Sequence, residues 1–183
     1  MNLRDKTLVV FTSDNGGDIH SSNLPFAGVK SSLQEGGIRV PCIARWPGKV
    51  LSGTTVDVPA ITMDWTATVR RLAGYPADPK REDGIDLLPL LLDPASKVPD
   101  RSLFWRRKSG PVRNVNNASR AVRKGEWKLL EATDGSGDRF LFNLNADPAE
   151  TMNLIDENRD IAKQLSTELD RWETSVRYEA HQQ

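Results

Sequence analysis

The sequence has little from which to build a cysteine- or histidine-based site. Its 183 residues include one cysteine and two histidines, so no internal disulfide can form. A cysteine zinc site and a histidine-rich metal centre are excluded for the same reason. Charge of one sign is also missing: 25 Lys and Arg balance 25 Asp and Glu. A neutral chain has no overall pull toward nucleic acid or anionic lipid, so neither is expected as a partner. No apolar run approaches the roughly 18 residues that would suggest a membrane span. No cationic n-region with an apolar h-region leads into the first strand, so no secretory signal is read here. Internal repeats and low-complexity tracts are lacking as well.

What is present divides into two parts, residues 1–98 and 99–183. In the first, Thr7-Leu8-Val9-Val10-Phe11-Thr12 is a continuous β-branched and aromatic run. Such a run predicts a strand covered on both faces, as in a mostly parallel α/β sheet. A buried strand so near the first residue leaves no room before it for the rest of a sheet, so it is expected at an edge or with neighbours supplied from upstream. Ser13-Asp14-Asn15-Gly16-Gly17 ends it in turn formers. A second strand is predicted around Ile38 to Trp46, with Cys42 as a small buried hydrophobe in it. The spacing of Trp65, Val69 and Leu72 predicts a helix over Thr62 to Ala73, and Ile85–Leu92 a helical turn.

The second part reads as an antiparallel meander. Leu103-Phe104-Trp105, Arg120 to Arg123, Trp127 to Leu130 and Phe140 to Leu144 are short strand candidates separated by turn residues. Ile161, Leu165, Leu169, Trp172 and Val176 then recur at helical spacing, predicting an amphipathic helix from about Glu157 to Arg177 whose apolar stripe covers one face of the small sheet.

Three features could carry chemistry. Asp14 and Asn15 stand at the carboxyl end of the first strand, where open α/β sheets place ligands. A carboxylate beside a carboxamide offers hard oxygen donors suited to Ca²⁺ or Mg²⁺, although from spacing alone Asp-Asn-Gly-Gly reads first as an ordinary turn. Lys30, taken alone, reads as a solvated surface lysine; near a divalent cation its ammonium would hold an oxyanion. His20, in the loop after the turn, could line a pocket or stand in solvent. Asn117-Ala118-Ser119 has the form of a glycosylation sequon, meaningful only in an exported protein.

Six segments in order resemble the sulfatase family, the formylglycine-dependent arylsulfatases of the alkaline phosphatase superfamily. They are Thr7 to Gly17, Lys30 with Glu35-Gly36-Gly37-Ile38-Arg39-Val40-Pro41, and Arg45-Trp46-Pro47-Gly48, followed by Asp83 to Pro89, Arg120 to Leu129, and Leu144 to Leu154. The resemblance implies the C-terminal part of the α/β catalytic domain over 1–98 and a small C-terminal α+β subdomain over 99–183. It implies one Ca²⁺, with Asp14 and Asn15 as half of its ligands. Lys30 becomes the lysine that contacts the sulfate and stabilises the leaving oxygen; His20 is taken as substrate-binding from its place in the loop alone. In the family a formylglycine hydrate attacks sulfur, the alcohol leaves, and the sulfated hemiacetal collapses to release sulfate. The expected substrate is a sulfate ester of a small molecule or glycan.

The departures are as informative. The family's nucleophile motif, cysteine or serine followed two residues later by proline and then by arginine, occurs nowhere in the sequence. The first pair of aspartate calcium ligands and the histidine and second lysine of the middle region are also absent. Ala27 replaces an arginine often found in the family. The chain is therefore expected to be catalytically incomplete alone and to need an N-terminal sulfatase segment. A phosphodiesterase or phosphonate hydrolase of the same superfamily, or a non-catalytic binding module, are the alternatives. The family is often periplasmic, secreted or lysosomal, which sets no compartment for this chain.

Overall fold

The computed structural model describes residues 3–79, 82–107, 118–133 and 135–180. They form two compact units, one of residues 1–14 and 41–99, the other of residues 15–40 and 100–183. The predicted sequon asparagine, Asn117, lies outside the described residues. Among the described residues no helix is long and apolar enough to cross a membrane.

In the first unit, β1 (Val9–Thr12) and β2 (Cys42–Arg45) pair antiparallel, with Phe11 opposite Ile43 and Val9 opposite Arg45. Cross-strand partners and alternate residues share a face, so Val9, Phe11 and Ile43 lie on one side of the ribbon. That side is open: Phe11 and Ile43 are each 61% exposed and Val9 48%. The double cover predicted for β1 is therefore not supplied by the described residues. Cys42 corrects another expectation, for it is exposed. A two-stranded ribbon has too little sheet around it to bury alternate positions on both faces.

The predicted helix forms as α2 (Thr62–Leu72), and the apolar turn forms as α3 (Leu88–Leu92). Asp64 is fully buried and links them. One of its carboxylate oxygens accepts from the Ile61 amide at 2.8 Å, capping α2, and the other accepts from the Ile85 amide at 2.9 Å. Thr68 donates to the Asp64 carbonyl at 2.7 Å and accepts from the Leu87 amide at 2.8 Å. Glu82 is clamped by Arg70 and Arg71.

The second unit is built on a four-stranded antiparallel meander in the order β3 (Ser102–Arg106), β4 (Arg120–Lys124), β5 (Trp127–Glu131), β6 (Arg139–Asn143). Each expected strand is present. On one face Val122, Leu129 and Leu141 pack against Ala162, Leu165 and Leu169 of α4 (Arg159–Ala180). Phe104 and Trp172 stack with centroids 5.1 Å apart. The predicted stripe thus docks through Trp172, whereas Val176 is 45% exposed. The opposite face carries Ala121, Leu130 and Phe142, and residues 15–40 contribute Leu33 and Ile38 to that cluster. Both faces of the meander are therefore used.

Charged side chains frame the docked helix. Arg120 lies 2.8 Å from Glu173, 2.7 Å from Asp170 and 2.6 Å from Glu131, and Lys124 lies 2.9 Å from Glu168. Partial burial would raise the Glu168 and Glu173 carboxyls. Hydrogen bonds from Ser102 and Lys124 to Glu168, and from Arg120 and Arg177 to Glu173, overcome it and hold both below the usual carboxylate range. A carboxyl depressed in the folded state adds stability that is present above its unfolded pKa and lost as pH falls through the folded one. The urea midpoint of this unit should therefore decline as pH drops below the ordinary glutamate value of about 4.3, with a shallower decline in Glu173→Gln, as followed by far-ultraviolet circular dichroism.

Candidate functional site

Asp14 is exposed and closes the first strand region, while Asn15 is half-buried and opens the segment of residues 15–40. That segment has little regular structure beyond the single turn α1 (Glu35–Ile38). Backbone contacts hold it together instead. The Gly16 amide donates to the Gly37 carbonyl at 3.0 Å, the Lys30 amide to Gly17 at 2.8 Å, and the Gly36 amide to Ala27 at 2.7 Å. The Asn23 carboxamide clips the same crossing, accepting from the Gly17 amide at 2.9 Å and donating to the Gly17 and Gly28 carbonyls at 2.9 and 3.2 Å.

Two glycines are required by this approach. A Cβ on Gly16 would collide with the Gly36 carbonyl, and one on Gly36 with the carbonyls of Ala27 and Gly28. Backbone meets backbone here, and no side-chain movement could relieve the clash. The result brings the backbone of Lys30 to within two residues of Asn15, with the Lys30 side chain exposed. His20 sits on the exposed turn between Asp18 and Ser21, closed by the Ser21 amide on the Asp18 carbonyl at 2.9 Å.

Underneath, an ionic cluster that the sequence analysis did not name joins the segment to the sheet. The Lys128 ammonium, fully buried on β5, lies 2.9 Å from Glu35 and 2.9 Å from Glu150. Glu150, in the left-handed region at φ 54°, also accepts from the Glu35 amide at 2.6 Å. Burial pushes the Glu150 carboxyl up, against the pull of Lys128. The sequence held a signal for this cluster. Strand alternation puts Lys128 on the same face as Leu130, where a charge needs a buried partner.

Asp14 and Asn15 offer oxygen donors of the kind Ca²⁺ prefers, but two fall short of the roughly six to eight it takes. Among the described residues, no group of three His, Cys, Asp or Glu side chains is placed to hold a metal. An open depression of about 560 Å³ on the α4 side, lined by Arg139, Arg159 and Lys163 among others, contains none of the predicted site residues.

A short meander thus carries a long helix on one face and a glycine-crossed, lysine-bearing loop on the other. The family described as "N-sulphoglucosamine sulphohydrolase, C-terminal" matches residues 29–175, and the chain belongs to it. Human arylsulfatase A is 34% identical over 181 residues, covering 85% of this chain and 34% of that protein. Human steryl-sulfatase is 41% identical over 115 residues, covering 57% of this chain and 20% of that protein. The crystal structure of Ps i-CgsB matches with a TM-score of 0.80 at 28% identity, over 93% of this chain and 37% of that one, and it has also been solved in complex with k-i-k-neocarrahexaose. The chain thus spans about a third of the length of arylsulfatase A and of Ps i-CgsB.

Proposed function

We propose that this chain supplies the C-terminal portion of a sulfuric ester hydrolase and half of its reaction site. The observation that carries this reading is the close crossing in which the Lys30 amide donates to the Gly17 carbonyl, two residues after Asn15, in a chain whose relatives are sulfatases. Lys30 would bind a sulfate oxygen by charge and place an ammonium where the leaving oxygen develops negative charge. His20 would line the substrate side of the same segment. Asp14 and Asn15 would hold calcium, which when bound neutralises charge on sulfate oxygens. The substrate class is a sulfate ester; a glycan ester is supported by the oligosaccharide held by the related Ps i-CgsB.

No nucleophile motif exists in the sequence, so a second segment must bring it. The open face of Val9, Phe11 and Ile43 is the surface such an N-terminal sulfatase segment would cover, since an exposed apolar ribbon with free edges favours association. In this reading the isolated chain turns over nothing and binds its ions weakly. Titrations of the isolated chain with calcium and with inorganic sulfate, followed by amide chemical shifts, should show weak, saturable changes at Asp14–Asn15 and at Lys30 respectively. Lys30→Ala should remove the sulfate response. Sulfate shifts that persist unchanged in Lys30→Ala would contradict the assignment.

A further inference from the structure

Lys30 is followed by Ser31, which holds φ at 77° although it is not glycine. A non-glycine residue stays in the left-handed region only when its surroundings impose it. Ser31 is the third residue of a turn closed by the Ser32 amide on the Val29 carbonyl at 2.9 Å, and Arg107, just after β3, reaches this residue from the meander. The Arg107 backbone amide donates to the Ser119 carbonyl at 2.9 Å. The guanidinium donates through Nε to the Ala118 carbonyl at 2.9 Å and through Nη1 to the Ser31 carbonyl. One planar fork thus ties the residue next to Lys30 to the edge of the meander, a geometry lysine cannot reproduce because it lacks the rigid pair of donors. On the other side of the loop, Lys128 holds Glu35 at 2.9 Å.

We infer that Arg107 is a positioning residue for Lys30. The small sheet aims the sulfate-contacting ammonium by fixing Ser31, with Lys128 anchoring the far end of the loop. The role in sulfate contact rests on the function proposed above; the loop-fixing role does not. Arg107 touches no substrate in this scheme and acts on Lys30 through the Ser31 carbonyl. Its loss should leave the meander intact, because its bonds to Ser31, Ala118 and Ser119 lie outside the β4–β5 and β5–β6 ladders.

The test is amide hydrogen exchange on the full chain, with Arg107→Leu and Arg107→Lys compared to the parent. In Arg107→Leu the Lys30 amide, which donates to Gly17, should lose protection by about tenfold or more while the Val122 and Leu130 amides change by less than about threefold. Arg107→Lys should fall between. A Lys30 amide as protected as in the parent overturns the inference. So does an equal loss at Val122 and Leu130, which would make Arg107 a general stability residue. Inorganic sulfate titration of the same proteins separates the two claims. If the parent shows no Lys30-dependent sulfate response, the proposed function fails while loop fixing is judged by exchange alone. If the parent responds, Arg107→Leu should weaken sulfate binding by about tenfold, and unchanged affinity overturns the positioning role.

Discussion

Replacing Lys128 with methionine should lower the unfolding free energy of the second unit by about 3–5 kcal/mol, because two buried carboxylates would lose their shared cation. Lys128 and the Glu150 side chain are fully buried, and Glu35 is 3% exposed. The nearby Arg39 and Arg123 guanidinia stand 3.7 and 3.6 Å from Glu35, too far to replace a 2.9 Å contact. Lys128→Met combined with Glu35→Gln and Glu150→Gln should recover much of the loss, since it is the unpaired charges that cost, more than the missing pair. The deficit of Lys128→Met should also depend on pH. The Glu150 carboxyl is already raised by burial, and without Lys128 it rises further. A carboxyl raised in the folded state gives stability that is present below its unfolded pKa and lost as pH rises, so the deficit should shrink on acidification. Urea unfolding at several pH values measures it; a deficit that is small, or independent of pH, would show that the cluster is not a buried ion bridge.

Asp64→Ala should have the next largest effect, in the other unit. It leaves the Ile61 amide uncapped, worth about 0.5–2 kcal/mol, and the Ile85 amide without its acceptor, worth about 1–3 kcal/mol more. Because the Ile85 contact precedes α3, the loss should spread to the Leu87 amide held by Thr68. Hydrogen exchange should show Ile85 and Leu87 exposed together in Asp64→Ala, with Asp64→Asn milder because it keeps an acceptor oxygen. Protection of Ile85 that survives Asp64→Ala would refute the link.

The elements that sequence reading placed well are those with a strong internal period. α4 announced itself through Ile161, Leu165, Leu169 and Trp172, and these four do face the sheet. The meander strands were legible from short β-rich runs cut by turn residues. The covering of the meander's second face was not legible. Residues 15–40 have no period, and only Leu33 and Ile38 contribute to that core cluster; the rest of the attachment includes the Lys128 cluster, the Arg123–Glu35 contact and the Arg107 bond to Ser31. β1 shows the converse. Its unbroken apolar run describes a strand with neighbours on both faces, while Val9 and Phe11 stand exposed here. Of the candidate site, the pairing of Lys30 with the glycine turn became visible only through family resemblance, because a lone lysine and an Asp-Asn-Gly-Gly turn carry no distinguishing spacing of their own. Arg107 gave no sequence signal, since its role depends on a left-handed serine seventy-six residues away.

The most direct measurement is hydrolysis of an aryl sulfate by this chain alone and after joining to an N-terminal sulfatase segment that carries the formylglycine motif. The chain alone should show no turnover with calcium present. The joined protein should hydrolyse the ester in a calcium-dependent manner and lose that activity in Lys30→Ala. Turnover by the chain alone, or a joined enzyme indifferent to Lys30, would contradict the account.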